Sequence, residues 1–276
     1  IVAAATDNGV GVAGACPECR LRCARLLPAH DETSTVDSDV LTYGFALDKN
    51  VDVVSNSWGF VDAIPVPGPL KDAIENVEAS GRNGKGAIVV FASGNDSRVV
   101  GDDELLAVDG IIGVGAVDTF GELTQFSNGG NSVDVVAPTG TVTTDITGAD
   151  GAEAGDTTEK FGGTSSACPV VSGVAGLIAS KFPDKTGAEI SQAIVDTAKQ
   201  STFATPDENG HDVNYGFGLI QPTAALHTFD PKPATPKTPP PPSCSSTAST
   251  ATSTTFASLL IVLFAIRRRA RRSCAA

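Results

Sequence analysis

The sequence has no methionine among its 276 residues, and position 1 is isoleucine. An opening Ile1-Val2-Ala3 is therefore expected of a processed chain or a fragment. Acidic residues stop at Asp230, and the last 46 residues hold neither Asp nor Glu. Residues 1–230 carry all 32 acids and 12 of the 19 Lys and Arg, a net charge of −20, whereas the remainder carries +7. The overall −13 thus describes neither part. Such an acidic body argues against nucleic acid as a partner. The glycines follow no fixed period and no repeat of ~20–50 residues is present, which excludes collagen and solenoid architectures. Histidine is scarce, with only His30, His211 and His227. Charge is modest at 18% against 41% hydrophobic residues, so chain-wide disorder is excluded and a sizeable core can form.

What is present reads as alternating strands and helices. Apolar, β-rich runs cover 21–27, 51–55, 87–92, 111–117 and 133–137. Helical patterns fall at 33–47, with a capping-rich start, and at 69–80, with Pro69 at a plausible first turn. Two more follow at 165–181 and 186–198. Alternation of this kind implies the α/β class: three layers, a mostly parallel sheet with helices on both faces. Continuous runs such as AIVVFA suit strands buried on both sides. Chemistry in such sheets gathers at the carboxyl ends of strands.

Three motifs fall at those ends. Asn56-Ser57-Trp58-Gly59 follows VDVVS. It reads as a strand edge able to pair with an extended peptide, or as a core anchored by tryptophan. Ala92-Ser93-Gly94-Asn95 follows AIVVF, and Asn95 offers an amide that either stabilises an oxyanion or caps its own loop. Gly162-Gly163-Thr164-Ser165-Ser166-Ala167-Cys168-Pro169 leads into an apolar helix. Ser165 there is a candidate nucleophile beside backbone donors at a helix N-terminus, while Thr164 or Ser165 as a simple cap is the plainer reading. Gly173 and Gly176 allow close packing of that helix.

Taken together and in this order, the three motifs resemble those of the subtilisin-like serine proteases, over residues 1 to about 226. The resemblance implies Ser165 as nucleophile and Asn95 as side-chain oxyanion donor. It also implies that Ser57, Trp58 and Gly59 bind the substrate backbone, with polypeptides as substrates. The segment from Ile1 to Leu21 is similar to the stretch just after the family's histidine motif. The Asp and His of the triad are accordingly expected upstream of Ile1. None of His30, His211 and His227 is followed by Gly-Thr. Loss of the histidine alone costs a subtilisin about 10⁶ in kcat. The polypeptide as written is thus expected to be nearly inactive and its parent to be a serine endopeptidase.

Within the family, SNSWGF followed by Asp62, and the NYGFGLI segment, resemble the kexin and furin branch. That likeness implies cleavage after basic residues, with Asp62 as an acidic pocket group and Asp102 and Asp103 near the place of others. Solvated loop acids are the alternative. Thr6-Asp7-Asn8-Gly9-Val10-Gly11-Val12 resembles a family calcium loop. It implies structural calcium held by the Asn8 amide and the carbonyls of Thr6, Val10 and Val12.

Other readings compete. Gly9-Val10-Gly11-Val12-Ala13-Gly14, with Asp31 downstream, also fits a dinucleotide-binding fingerprint, but the required strand–turn–helix context is missing. An esterase would need GxSxG around its serine, and Ser165 sits in GGTSSA. A surface protein that binds peptides without chemistry is a further alternative. Cys16, Cys19 and Cys23 supply three thiols. They read as a local disulfide or plain thiols ahead of a zinc site, for which His30 is the nearest fourth ligand.

The expected organisation is a peptidase portion at 1–228, a Pro/Ser/Thr-rich linker at 229–255, and an apolar span with an arginine-rich tail at 256–276. The span reads FASLLIVLFAI. Extended back through small residues to Ala248 it reaches 19 residues, close to the ~20 a bilayer needs. Five arginines between Arg267 and Arg272 would keep the end cytoplasmic and the body outside. Cys244, the span and the arginines resemble the C-terminal sorting tags of myxobacteria, implying an extracellular or surface location. The body is expected to be a monomer.

Overall fold

A computed structural model of the chain describes residues 1–27 and 34–231. His30, Asp31, Cys244, Cys274, the linker beyond 231 and the apolar span lie outside the described residues.

The elements run α1 (Val36–Asp48), β1 (Val53–Asn56), α2 (Gly68–Gly84), β2 (Ile88–Ala92), β3 (Ile112–Val117), β4 (Val135–Pro138), β5 (Thr143–Thr144), β6 (Thr157–Thr158), α3 (Thr164–Lys181), α4 (Gly187–Asp196) and α5 (Pro222–His227). Strands β1 to β4 form one parallel sheet in sequence order. Register is set by Val53 opposite Ile88, Val90 opposite Ile112 and Val114 opposite Val135.

Period-two alternation divides the core. Ile88, Val90, Ile112 and Val114 face α3, α4 and α5, where they meet Val171, Ile178 and Ile190. Val89 and Phe91 point to the other face and meet Tyr43, Leu70, Ile74 and Val77 of α1 and α2. Both faces of β2 are therefore buried, which is why its sequence is continuously apolar. Four of the five expected strands and all four expected helices form, with bounds shifted by at most four residues.

Residues 21–27 do not form the expected strand. Leu21 and Leu27 are exposed, and among the described residues no neighbour pairs with this segment. Strand propensity without a partner does not make a strand. The packed body also continues past 228. Phe229 meets Phe182 edge-on at 5.4 Å, and Asp230 pairs with Lys181 at 2.7 Å. Residues 15–19 lie against α3. A Cβ on Gly173 would stand 2.5 Å from Ala15, and one on Gly176 would stand 2.9 Å from the Cys19 sulfur.

One half-buried group opposes the fold at high pH. Glu78 of α2 holds Oε1 away from water with no hydrogen-bond partner among the described residues. Burial first, then the charges of Glu75 and Asp109, raise its pKa from 4.5 to about 8. A carboxyl whose folded pKa is raised contributes stability fully below its unfolded value and loses it as pH rises through the folded one. Protein stability should therefore fall between about pH 4.5 and 8 through this residue. Glu78→Gln should flatten that fall and gain about 1 kcal/mol at pH 8, a figure reduced for partial solvent screening. Denaturant melts at pH 5 and pH 8 check this, and equal slopes for both proteins would refute it.

Candidate active site

Two strand ends and a helix start meet at one cleft. Its lining includes Ser57, Trp58 and Gly59 beyond β1, Gly94 and Asn95 beyond β2, and Thr164 and Ser165 at the start of α3. The structure thus brings together every residue expected of the nucleophile, oxyanion and backbone-binding motifs.

The start of α3 is unusual. Gly163 is its N-cap, at φ 73, and makes no side-chain cap. Neither Thr164 nor Ser165 is the cap of the plainer reading; both stand inside the first turn. The Thr164 N–H donates to Asn95 Oδ1 at 2.8 Å, and the Thr164 hydroxyl donates to the same oxygen at 3.1 Å. That hydroxyl also accepts the Gly94 N–H at 3.2 Å. Because a backbone N–H can only donate, Asn95 must turn its oxygen toward α3 and its NH₂ group away. Asn95 Nδ2 makes no hydrogen bond among the described residues. The next first-turn donor, Ser166 N–H, bonds to Gly163 at 3.1 Å. The Ser165 N–H between them donates to no atom among the described residues, and so is one of the orphan donors of a helix start.

The opposite side of Ser165 is tied by proline chemistry. Pro169 has no N–H, so the carbonyl four residues earlier, that of Ser165, loses its helical donor. The Ser57 hydroxyl supplies the replacement at 3.0 Å. The end of strand β1 and the first turn of helix α3 are thereby joined at Ser165. Trp58 is a core anchor at the edge of the cleft. Its ring meets Phe91 edge-on at 5.4 Å and its N–H reaches Asn56 Oδ1 at 3.1 Å, while it also walls the cleft.

Asn128 organises the loop after β2, and sequence reasoning missed it. Its Oδ1 accepts from Asp96 and Arg98 N–H at 2.8 and 3.2 Å, and its Nδ2 donates to the Ser93 carbonyl at 3.0 Å. A Cβ on Gly94, at φ 101, would fall 2.4 Å from that Nδ2, so the position requires glycine. The nearest local cue is weak, since Asn128 lies some thirty residues along the chain from the loop it holds.

Other expected site residues stand apart. Asp62, Asp102 and Asp103 are exposed and outside the cleft lining. The buried carboxylate that does line the cleft is Glu104, held by Arg98. Neither described histidine reaches the cleft. His211 Nε2 lies 2.9 Å from the Val133 carbonyl and its ring meets Phe217, while His227 pairs with Asp230. Cys16 and Cys19 form a disulfide and Cys23 is free and exposed, so the three thiols are not assembled for zinc. Residues 9–14 are not a strand–turn–helix; Gly14 and Cys16 instead donate to the carbonyls of Ala4 and Val2 at 2.9 and 2.7 Å.

In the loop from Thr6 to Val12, Asp7, Gly9 and Gly11 take positive φ, and Asn8 Oδ1 accepts the Val10 N–H at 3.0 Å. Its donors are oxygens, which suit a hard cation, and the Asn8 oxygen retains a second lone pair. Among the described residues no three His, Cys, Asp or Glu side chains cluster as a metal site. Among the described residues no helix is long and apolar enough to cross a membrane.

A parallel sheet flanked by helices, with a serine in the first turn of the helix facing an asparagine beyond a strand, defines the subtilisin-like α/β class. Comparison with known proteins agrees. The profile described as "Subtilase family" matches residues 1–218, and the chain belongs to that family. It is 30% identical to the "Calcium-dependent protease" of Trichormus variabilis, over 80% of this chain and 38% of that protein. It is 36% identical to the "Thermophilic serine proteinase" of Bacillus sp. strain AK1, over 72% of this chain and 45% of that protein. The chain therefore spans less than half the length of these relatives. Among solved structures, a protease from Pseudoalteromonas arctica PAMC 21717 aligns with a TM-score of 0.65 at 26% identity, covering 82% of this chain and 68% of that one.

Proposed function

We propose that the whole protein is a serine endopeptidase and that these 276 residues carry its nucleophile and oxyanion site. Ser165 attacks the scissile carbonyl, and the acyl-enzyme so formed is then hydrolysed. Asn95 Nδ2 and the Ser165 N–H hold the negative charge that develops on the carbonyl oxygen. One observation carries this reading. At the start of α3 these two donors are left without partners among the described residues, on the same cleft as the Ser165 side chain. Ser57 to Gly59 continue from β1, one of the two outer strands of the four-stranded sheet, and offer their backbone to an extended peptide. The general base is proposed to come from outside residues 1–276, since His211 and His227 are held elsewhere and His30 is not followed by Gly-Thr.

A fluorophosphonate probe on the complete parent protein tests the assignment. Labelling should disappear in Ser165→Ala, and retained labelling would remove Ser165 as nucleophile. Asn95→Ala should lower kcat by about 10²–10³ with little change in KM. Peptide binding without any labelling would instead favour a catalytically inactive binding protein.

Two further parts of the reading concern calcium and location. Relatives from Trichormus variabilis and Nostoc sp. carry the name "Calcium-dependent protease". The same requirement is proposed here, with Thr6, Asn8, Val10 and Val12 as this chain's contribution to a site that tightens the first loop. Calcium should raise the Tm of the parent protein, and Asn8→Ala should lose part of that rise; a Tm indifferent to calcium and chelator would dismiss the site. The protein is proposed to be a monomer held at the cell surface through residues 244–276. Deleting that segment should release it into the medium, and unchanged cell association would contradict the anchor.

A further inference from the structure

Three ionisable side chains line the cleft: Asp96, Arg98 and Glu104. Asp96 is exposed and accepts from Asn128 Nδ2 at 3.2 Å. Glu104 is the buried one, its side chain 11% exposed against 29% for Arg98. The two meet as a fork. One guanidinium nitrogen donates to Oε1 at 2.7 Å and the other to Oε2 at 2.6 Å. The Gly101 N–H adds a third bond, to Oε1 at 2.7 Å. The bidentate geometry neutralises the carboxylate and occupies the edge it would offer to a substrate cation. Trp58, Phe60, Val100, Leu105 and Leu106 are among the apolar residues of the lining.

An arginine or lysine side chain entering such a cleft gains nothing from Glu104 unless it displaces Arg98, and it brings a like charge toward that guanidinium. An apolar side chain buries its surface without breaking the fork. We propose that the Arg98–Glu104 pair is the specificity-determining element of this cleft, closing its buried carboxylate so that the cleft selects apolar over basic side chains. Asp62, Asp102 and Asp103, outside the lining, leave that selection unchanged. The inference rests on the protease reading for its kinetic form and on the cleft alone for its binding form.

The test uses the complete parent protein and peptide nitroanilides that differ only in a Leu, Phe, Arg, Lys or Glu residue before the scissile bond. The wild type should favour Leu or Phe over Arg by about tenfold or more in kcat/KM. Arg98→Met exposes Glu104 and should reverse that order toward Arg and Lys. Because an unpaired buried carboxylate endangers folding, Glu104→Gln is the second variant. It keeps the side chain's size and one limb of the fork, since the amide has a single acceptor oxygen; it frees the positive charge of Arg98 and should raise turnover of the Glu peptide by about tenfold relative to Leu. A strut without a selective role would change kcat/KM by one factor for all peptides and leave the order intact, which overturns the proposal, as does a wild type that already prefers Arg. Calorimetric binding of acetylated peptides ending in Leu, Arg or Glu gives the same ranking without catalysis. If nothing is hydrolysed and no probe labels Ser165, the protease reading fails, and the binding order still decides the role of the pair.

Discussion

The first turn of α3 is the constraint on which the site depends. A helix start exposes N–H groups that must find acceptors, and a proline in the next turn removes a donor from a carbonyl behind them. Here both defects are resolved by side chains from the sheet. Asn95, beyond β2, takes the Thr164 N–H, and Ser57, beyond β1, fills the Ser165 carbonyl vacated by Pro169. The two repairs fix the residue between them. Among the described residues Ser165 is thereby left with a free N–H on the cleft, while the Asn95 NH₂ group donates to none of them. Local hydrogen-bond accounting, with no catalytic assumption, isolates the same atoms that acyl transfer would need.

The rest of the fold serves to bring those strand ends to that helix. In a parallel sheet the carboxyl ends of neighbouring strands lie at one edge, so β1 and β2 deliver Ser57 and Asn95 to the same side. The register Asn56 opposite Phe91 places the two motifs level with one another. The small residues of α3 then let the sheet-facing helix and the segment at 15–19 approach closely. A large residue at Gly173 or Gly176 would push α3 outward and lengthen the Ser57 to Ser165 contact.

Legibility followed the range of the forces. Elements defined by local pattern and by their own turn chemistry were readable, including β1 to β4 and the helices on either face. The segment at 21–27 was not, because its propensity is local but its pairing partner is not. Ser165, Asn95 and Ser57 were accessible because each lies in a short motif at a strand or helix end. The capping alternative for Thr164 could not be dismissed from sequence, since its resolution depends on Asn95, seventy residues away. Asn128, Arg98 and Glu104 carried at most a weak local signal. A buried carboxylate and its guanidinium look like two more charges in an acidic loop until the fold pairs them, and so the sequence pointed to Asp62, Asp102 and Asp103 in place of Glu104.

That substitution bears on how charge acts at different distances in this protein. Residues 1–230 carry a net −20, a field that reaches outward by about one Debye length, ~8 Å at physiological salt. Such a field concentrates basic polypeptides near the surface whatever the cleft prefers. Inside the cleft the relevant distances are those of the fork, under 3 Å, and there the buried charges cancel. Encounter and selection are therefore set by different groups. The acidic surface governs how often a basic chain arrives and weakens with salt, while the Arg98–Glu104 pair, partly shielded from solvent, governs which of its side chains is held and is far less sensitive to ionic strength.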